Sequence, residues 1–90
     1  MTFYVYIAEC ADRTLYTGWT TDLARRLETH NAGRGAKYTR SRRPIRLVYS
    51  EEQPDQRSAM KREIEIKRLG RAQKLKLIEA QKSHLKMGQG

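Results

Sequence analysis

Two short segments of aromatic and β-branched residues lie close together at the start of the chain, and they limit the folds open to it. Residues 3–9 read FYVYIAE and residues 15–19 read LYTGW. Such side chains suit the pleated, half-buried surface of a strand. The intervening residues 10–14 include Asp12, a turn former. This arrangement predicts an antiparallel hairpin in which odd-numbered and even-numbered residues of the first strand face opposite sides.

Helical and extended patterns alternate along the rest of the chain. The residues TTD precede LARRLETHN, and because Thr and Asp are N-cap types, a helix is predicted over about 21–31. Residues 31–44 contain two Gly, a Pro and no apolar period, which predicts a loop. A third strand is expected over 46–52, and two helices over about 55–69 and 71–81, separated at Gly70.

The element order ββ-α-β-α-α predicts an α+β domain in which helices pack on a small three-stranded antiparallel sheet. Ninety residues support one modest core, so we expect a single domain over 1–90, with its core over about 3–78 and a frayed tail over about 83–90. One Cys excludes an intramolecular disulfide, and one Cys with two His excludes a structural zinc site.

The sequence also bears on location. No apolar run approaches the roughly 18 residues that a membrane helix needs. The first residues carry no basic leader of the kind found in signal peptides. We therefore expect a cytoplasmic protein that does not bind membranes.

The charge of the chain favours a polyanionic partner. Lys and Arg number 19 against ten Asp and Glu, which gives a formal net charge of +9. Between residues 29 and 50 there are six basic residues and no acid. A solvated loop is the ordinary explanation, but like charges repel and an anionic partner relieves that repulsion. With a tyrosine among them as a stacking surface, we predict nucleic-acid contact at Arg34, Lys37, Tyr38, Arg40, Arg42 and Arg43.

One arginine of the first predicted helix lies on its inward face. Because each helical residue turns the chain by roughly 100°, Arg26 and His30 fall on the same side of the helix as Leu23 and Leu27. An arginine on that face is costly unless it meets an anion. Two interpretations stay open. Arg26 either forms an internal salt bridge or lies along the surface with its apolar stem covered, or it reaches a phosphate at the domain surface.

A carboxylate lies on the inward face of the predicted helix 55–69. The same helical geometry places Glu63 one turn after Ala59, inside an apolar arc that includes Met60 and Ile64. An inward carboxylate suits either an ion pair or a divalent cation, which prefers oxygen ligands. The basic candidates for the ion pair are Arg26 and Lys67.

Two tyrosines are expected to meet. Pairing of the hairpin strands would bring Tyr6 and Tyr16 near each other. A phenol beside basic side chains can have a lowered pKa and serve as a base. The commoner alternative is a core tyrosine whose hydroxyl is hydrogen-bonded.

Together these residues resemble the signature of the GIY-YIG nuclease superfamily. The first element would be Tyr4-Val5-Tyr6 and the second Tyr16-Thr17-Gly18, with Tyr4 standing where the signature has Gly and Thr17 where it has Ile. Arg26 and His30 follow, and Glu63 stands where the family carries its metal-binding acid. The resemblance covers about residues 3–78. The segments GAKYTR and RPIRLVY are typical of the small stand-alone bacterial members.

The resemblance implies a divalent-metal-dependent endonuclease that hydrolyses phosphodiester bonds, with DNA as its expected partner. It implies that Glu63 holds a single Mg²⁺ or Mn²⁺. One tyrosine would help to deprotonate the nucleophile, and Arg26 would meet the charge on the phosphoryl oxygens. Gly18 also has a physical interpretation of its own, since a glycine in a strand permits either a close backbone approach or a bulge. The implied catalytic residues are Tyr6, Tyr16, Arg26 and His30.

Other functions stay open from the sequence. One is a nucleic-acid-binding module of the same fold with weak or no hydrolysis, on DNA or RNA. Another is a basic protein that binds acidic protein surfaces. The oligomeric state is also open, because an apolar helix face in the segment 71–81 could mediate a dimer.

Overall fold

The sheet has three strands, and both pairings are antiparallel. The structure, a computed structural model, describes the backbone of residues 1–89 and the side chains of residues 1–83. Strands β1 (Phe3–Glu9), β2 (Leu15–Thr20) and β3 (Arg46–Gln53) lie in the order β2-β1-β3. The predicted hairpin and the predicted α+β architecture are therefore confirmed.

Four helices accompany this sheet, and capping side chains fix where two of them begin. Asp22 accepts a hydrogen bond from the backbone N–H of Arg25 at 3.1 Å, and Asp55 accepts one from Ser58 at 2.8 Å. Each side chain satisfies an N–H that the first helical turn leaves unpaired. The helices are α1 (Leu23–Asn31), α2 (Lys37–Arg40), α3 (Gln56–Lys67) and α4 (Arg71–Gln89).

Two of the predicted boundaries are wrong. The predicted loop 31–44 contains α2, a single turn that has no apolar period and is held by hydrogen bonds, among them one from the Thr39 hydroxyl to the Ala36 carbonyl. Helix α4 runs well past the predicted end near residue 81, because neither Gly nor Pro interrupts residues 71–87. The side chains of the predicted tail from residue 84 onward lie outside the described residues.

Strand β1 is buried on both of its faces. On one face Val5 and Ile7 pack with side chains of α3 and α4. On the other face Tyr6 and Ala8 pack with Ile45 and with leucines of α1. The predicted alternation along β1 is therefore correct, and the even-numbered face is the one that carries the tyrosine of interest.

The predicted apolar arc of α3 is wrong in part. Met60 is 45% exposed and Ile64 is 49% exposed, whereas Ala59 and Ile66 are completely buried. The helix therefore buries a narrower strip than its apolar residues would allow, because only one side of it reaches the sheet. Within the described part of the chain, none of the helices is both long and apolar enough to span a membrane.

The two isoleucines of α3 give a direct test of this packing. We expect Ile66→Ala to lower the free energy of unfolding by about 2–5 kcal/mol, because it leaves a cavity in a buried cluster. Ile64→Ala is the matched control and should change it by less than about 0.5 kcal/mol. Urea unfolding followed by circular dichroism measures both. Equal effects of the two substitutions would show that α3 packs on another face.

Candidate active site

The hairpin register brings the two tyrosines together. Tyr6 pairs directly with Gly18, and Ala8 pairs with Tyr16. Tyr6 and Tyr16 are therefore diagonal neighbours on one face of the sheet. Their ring centroids lie 6.4 Å apart, as the sequence predicts.

Gly18 leaves the space that the Tyr6 ring occupies. A Cβ atom built on Gly18 would lie 2.6 Å from the Tyr6 hydroxyl oxygen. The absence of a side chain on β2 thus lets the phenol lie across the neighbouring strand. The sequence predicts a close approach at Gly18, and in the structure the Tyr6 side chain makes that approach.

Arg26 extends from α1 to the two phenols. The proximity of Tyr6 raises the pKa of the Arg26 guanidinium against the opposing effect of burial, and Tyr16 adds to the rise. Among the described residues, the Arg26 Nε is buried without a hydrogen-bond partner and no salt bridge involves this side chain. The arrangement favours the anion-site interpretation over an internal salt bridge, since a buried N–H needs an acceptor.

Tyr6 carries a protonated hydroxyl at neutral pH. Burial raises the pKa of Tyr6, while the nearby Arg26 guanidinium opposes that rise. The charges of Tyr16 and Glu63 raise the pKa further. The phenol can therefore serve as a base only by passing on its own proton or through bound water.

His30 is completely buried behind the phenols. Its Nε2 lies 3.0 Å from the Tyr6 hydroxyl, and its Nδ1 lies 2.8 Å from the Thr39 hydroxyl. The ring also meets the Tyr16 ring edge-on at a centroid distance of 5.2 Å. Burial lowers the pKa of His30 and the nearby Arg26 charge lowers it further, so the imidazole is neutral at neutral pH.

Glu63 is the carboxylate that the sequence predicts for the site. Its side chain is 20% exposed, and one carboxylate oxygen lies 3.6 Å from the exposed Lys67 ammonium. Among the described residues there is no group of three or more His, Cys, Asp or Glu side chains that could hold a metal. A divalent cation at Glu63 would therefore take its other oxygen ligands from water or substrate, which suits a hard cation such as Mg²⁺.

An aromatic and basic stack adjoins the phenols. The Tyr38 ring, from α2, stacks on Tyr16 with a centroid separation of 6.1 Å and an interplanar angle of 26°. The Arg42 guanidinium carbon lies 4.0 Å from the centroid of the Tyr38 ring, and its Nε donates to Asp12 at 3.1 Å. Asp12 thus links the hairpin turn to the basic segment.

The predicted basic residues of the segment 34–43 divide into two groups. Arg42 and Arg43 hold the fold of the segment itself: Arg42 donates to the Tyr38 carbonyl, and Arg43 donates to the carbonyls of Arg40 and Asn31. The remaining three are at least partly exposed and are available to a ligand, namely Arg34, Lys37 and Arg40.

Sequence reasoning missed three residues that build the site. Thr39 is completely buried against His30. A Cβ atom on Gly35 would collide with the His30 Nδ1, so this glycine permits close packing of the segment. The Asn31 amide makes two hydrogen bonds to the backbone of Ile45, at 2.7 and 3.0 Å. Asn31 ends α1 and Thr39 lies in the single turn α2, so neither gives a periodic signal; the sequence marks the segment by its two glycines, its proline and its basic residues.

Comparison with known proteins identifies the family. The family model described as the GIY-YIG catalytic domain matches residues 2–76. The chain belongs to the GIY-YIG family. It is 58% identical over 76 residues to a UPF0213 protein of Staphylococcus haemolyticus, a match that covers 84% of this chain and 93% of that one. It is 54% identical over 77 residues to a UPF0213 protein of Syntrophus aciditrophicus, covering 84% and 88%.

Two solution NMR structures are similar in fold. The UPF0213 protein BH0048 from Bacillus halodurans is 49% identical with a TM-score of 0.57, and the match covers 89% of this chain and 85% of that one. The E. faecalis protein EF2693 is 39% identical with a TM-score of 0.61, covering 94% and 88%. The predicted family and fold are confirmed, and the roles of the individual GIY-YIG residues stay predictions.

Two glycines provide a matched test of the packing around Tyr6. We expect Gly18→Ala to lower the free energy of unfolding by about 1–3 kcal/mol, since the new methyl group overlaps the Tyr6 hydroxyl. A Cβ atom on Gly70 meets nothing within 4 Å, so Gly70→Ala should be neutral or stabilise by up to about 1 kcal/mol. Urea unfolding compares the two. A neutral Gly18→Ala would contradict the described position of the Tyr6 ring.

The protonation of His30 gives a second test. We expect its pKa in the folded protein to lie below the ordinary value of 6.5, because burial and Arg26 disfavour the imidazolium. Below that value the unfolded chain binds a proton that the folded chain does not. The contribution of His30 to the free energy of unfolding is therefore complete above about pH 6.5. It is lost as the pH falls from 6.5 through the pKa of His30 in the folded protein. NMR titration of the ring checks the pKa, with His84→Gln to remove the other histidine from the spectrum. A His30 pKa above 6.5 would contradict this environment.

Proposed function

We propose that the protein is an endonuclease that hydrolyses phosphodiester bonds of DNA with the help of a divalent cation. GIY-YIG domains form a nuclease superfamily, and membership in it supports hydrolysis of nucleic acid. The observation that carries the proposal is the convergence of two phenols, a neutral imidazole and a guanidinium that pairs with no carboxylate of residues 1–83. A single carboxylate, Glu63, acts on the same phenol through its charge.

Arg26 is the residue best suited to the phosphate. Its buried Nε lacks a partner among the described residues, and a buried donor left unsatisfied costs about 1–3 kcal/mol. A phosphoryl oxygen would satisfy it with a charge-assisted hydrogen bond. As negative charge grows on that oxygen during attack, the same contact strengthens, which stabilises the transition state more than the ground state.

Glu63 would hold Mg²⁺ or Mn²⁺. When bound, such a cation supplies Lewis acidity toward the phosphate. With one protein carboxylate, we expect weak metal affinity until the substrate adds its own oxygens.

The two phenols would orient the attacking water and help to deprotonate it. The Tyr6 hydroxyl is held by its hydrogen bond to the His30 Nε2 at 3.0 Å, so its oxygen has a fixed direction. Tyr16 is packed between the rings of His30 and Tyr38. Two oriented hydroxyls at one place limit the positions open to a water molecule, and such orientation lowers the entropic cost of attack.

The exposed basic residues of the segment 34–43 would bind the sugar–phosphate backbone. Arg34, Lys37 and Arg40 reach the surface, and the chain carries a net charge of +9. Contacts of this kind position a nucleic acid without reading its sequence, and they weaken as salt rises. We expect the protein to act in the cytoplasm, where nucleic acid is accessible.

A second candidate is a nucleic-acid-binding module with weak or no hydrolysis. The observation that favours it is the lone carboxylate, since no cluster of three or more potential metal ligands occurs in the described part of the chain. The same basic segment would then bind DNA or RNA without cutting it.

Two glutamates of α3 separate these functions. We expect the wild-type protein to nick supercoiled plasmid DNA in Mg²⁺ or Mn²⁺, and Glu63→Gln to lower the rate at least about a hundredfold. Glu65→Gln is the control, because Glu65 is 55% exposed and pairs with Arg62. Gel analysis of nicking measures the rates, and a filter-binding assay at several salt concentrations measures affinity.

The nicking and binding results together distinguish an endonuclease from a binding module. Loss of nicking in Glu63→Gln with unchanged binding supports the endonuclease. Nicking that persists at the wild-type rate in Glu63→Gln would overturn the role of this carboxylate. Salt-sensitive binding of the wild-type protein without any cleavage, on plasmid, duplex, flap and RNA substrates, would support the binding module instead.

A further inference from the structure

We infer that Thr39 is a positioning residue that fixes His30 in the tautomer with its proton on Nδ1, so that the Tyr6 hydroxyl must donate inward to Nε2. The tautomer follows from the hydrogen bonds alone. Its consequence for hydrolysis rests on the proposed function, and the two parts are tested separately.

The first step concerns the Thr39 hydroxyl. This group has a single hydrogen, and its oxygen lies 2.9 Å from the Ala36 carbonyl, which can only accept. The hydrogen is therefore assigned to the Ala36 carbonyl, which also accepts the backbone N–H groups of Thr39 and Arg40 at 3.1 and 3.2 Å. Toward the His30 Nδ1, 2.8 Å away, the Thr39 oxygen can only accept, so Nδ1 carries the hydrogen of that bond.

The second step concerns the other side of the imidazole ring. A neutral imidazole has one N–H, so with the proton on Nδ1 the Nε2 is an acceptor. The Tyr6 hydroxyl lies 3.0 Å from this nitrogen and supplies the one hydrogen that the bond needs. Each donor is thus matched with one acceptor: Tyr6 donates to His30, His30 to Thr39, and Thr39 to the Ala36 carbonyl.

Burial keeps this arrangement from rearranging through solvent. His30 and Thr39 are both completely buried. The backbone of Gly35 lies so close to the His30 Nδ1 that a side chain there would collide with it. Water therefore has no space to replace the Thr39 hydroxyl as the acceptor for Nδ1.

The consequence for the site is that Tyr6 presents only lone pairs to its outer surroundings. Two donors suit such an oxygen: the nearby Arg26 guanidinium and a water molecule. During attack, the water proton passes to the Tyr6 oxygen as the Tyr6 proton passes to Nε2. The hydroxide so formed bonds to phosphorus as the bond from phosphorus to the leaving oxygen breaks. The buried imidazolium then returns its Nε2 proton to the Tyr6 oxygen, and the proton that Tyr6 took from water passes to the leaving oxygen. Protons are conserved at every atom of this relay.

Two substitutions of Thr39 separate the hydroxyl from the shape of the side chain. Thr39→Val keeps the shape and removes the hydroxyl, whereas Thr39→Ser keeps the hydroxyl. Thr29→Val is the matched control, since Thr29 also lies in this region and its hydroxyl donates within α1, to the Arg25 carbonyl. The ¹⁵N chemical shifts of the His30 ring report the tautomer in the protein alone, with His84→Gln as background.

We expect the proton on Nδ1 in the wild-type, Thr39→Ser and Thr29→Val proteins. In Thr39→Val we expect loss of this fixed tautomer and a fall of about a hundredfold in the nicking rate with unchanged DNA affinity. Restored nicking in Thr39→Ser would show that the hydroxyl is responsible.

A wild-type spectrum with the proton on Nε2 would overturn the inference, and this measurement stands even when Thr39→Val does not fold. An unchanged tautomer and nicking rate in a folded Thr39→Val protein would overturn it as well. Wild-type protein that cuts no substrate would overturn the proposed function alone, because the spectrum still decides the tautomer.

Discussion

The hydrogen bond between the Tyr6 hydroxyl and the His30 imidazole is the interaction on which the site depends. Both groups are buried, and burying a polar group without a partner costs more than its hydrogen bond contributes. Each group therefore holds the other in place. Because Tyr6 lies on the central strand and His30 near the end of α1, this one bond helps to set the position of the helix over the sheet. The Arg26 side chain, one turn earlier on α1, is placed at the phenols as a result.

The charges in the site favour the binding of an anion. Arg26 stays cationic beside the phenols, and His30 is kept neutral by burial and by that same cation. The carboxylate of the site, Glu63, is only loosely paired with Lys67 at 3.6 Å. A site with a partnerless guanidinium N–H among its described residues is suited to an anion.

The sequence predicts those features that follow from local periodicity, and it fails where tertiary contacts decide. Strand pairing placed Tyr6 beside Tyr16, and helical geometry placed Arg26 inward, because both depend only on the backbone. The same geometry overestimated the buried face of α3, since it cannot tell how much of an apolar arc reaches the sheet. Neither Thr39 nor α2 could be predicted from helical geometry. The single turn of α2 is held by side-chain hydrogen bonds and by contact with His30. The meaning of Gly18 was likewise visible only once the Tyr6 ring was seen against it.

The basic residues of the segment 34–43 do not all have the same role, because some of them bind other groups of the protein. Arg42 lies against Tyr38 and pairs with Asp12, so its charge is partly neutralised and its side chain braces the ring that covers Tyr16. Arg43 is held by carbonyl groups of its own neighbourhood. Arg43 is nevertheless exposed and has only neutral carbonyl partners, so it keeps its charge, as the exposed Arg34, Lys37 and Arg40 do. The segment therefore has two roles. Thr39 and Tyr38 pack against the residues of the site, and the exposed cations of the same segment are available to a polyanion. Because one segment performs both tasks, a nucleic acid held by its cations would lie beside the tyrosines without any further positioning.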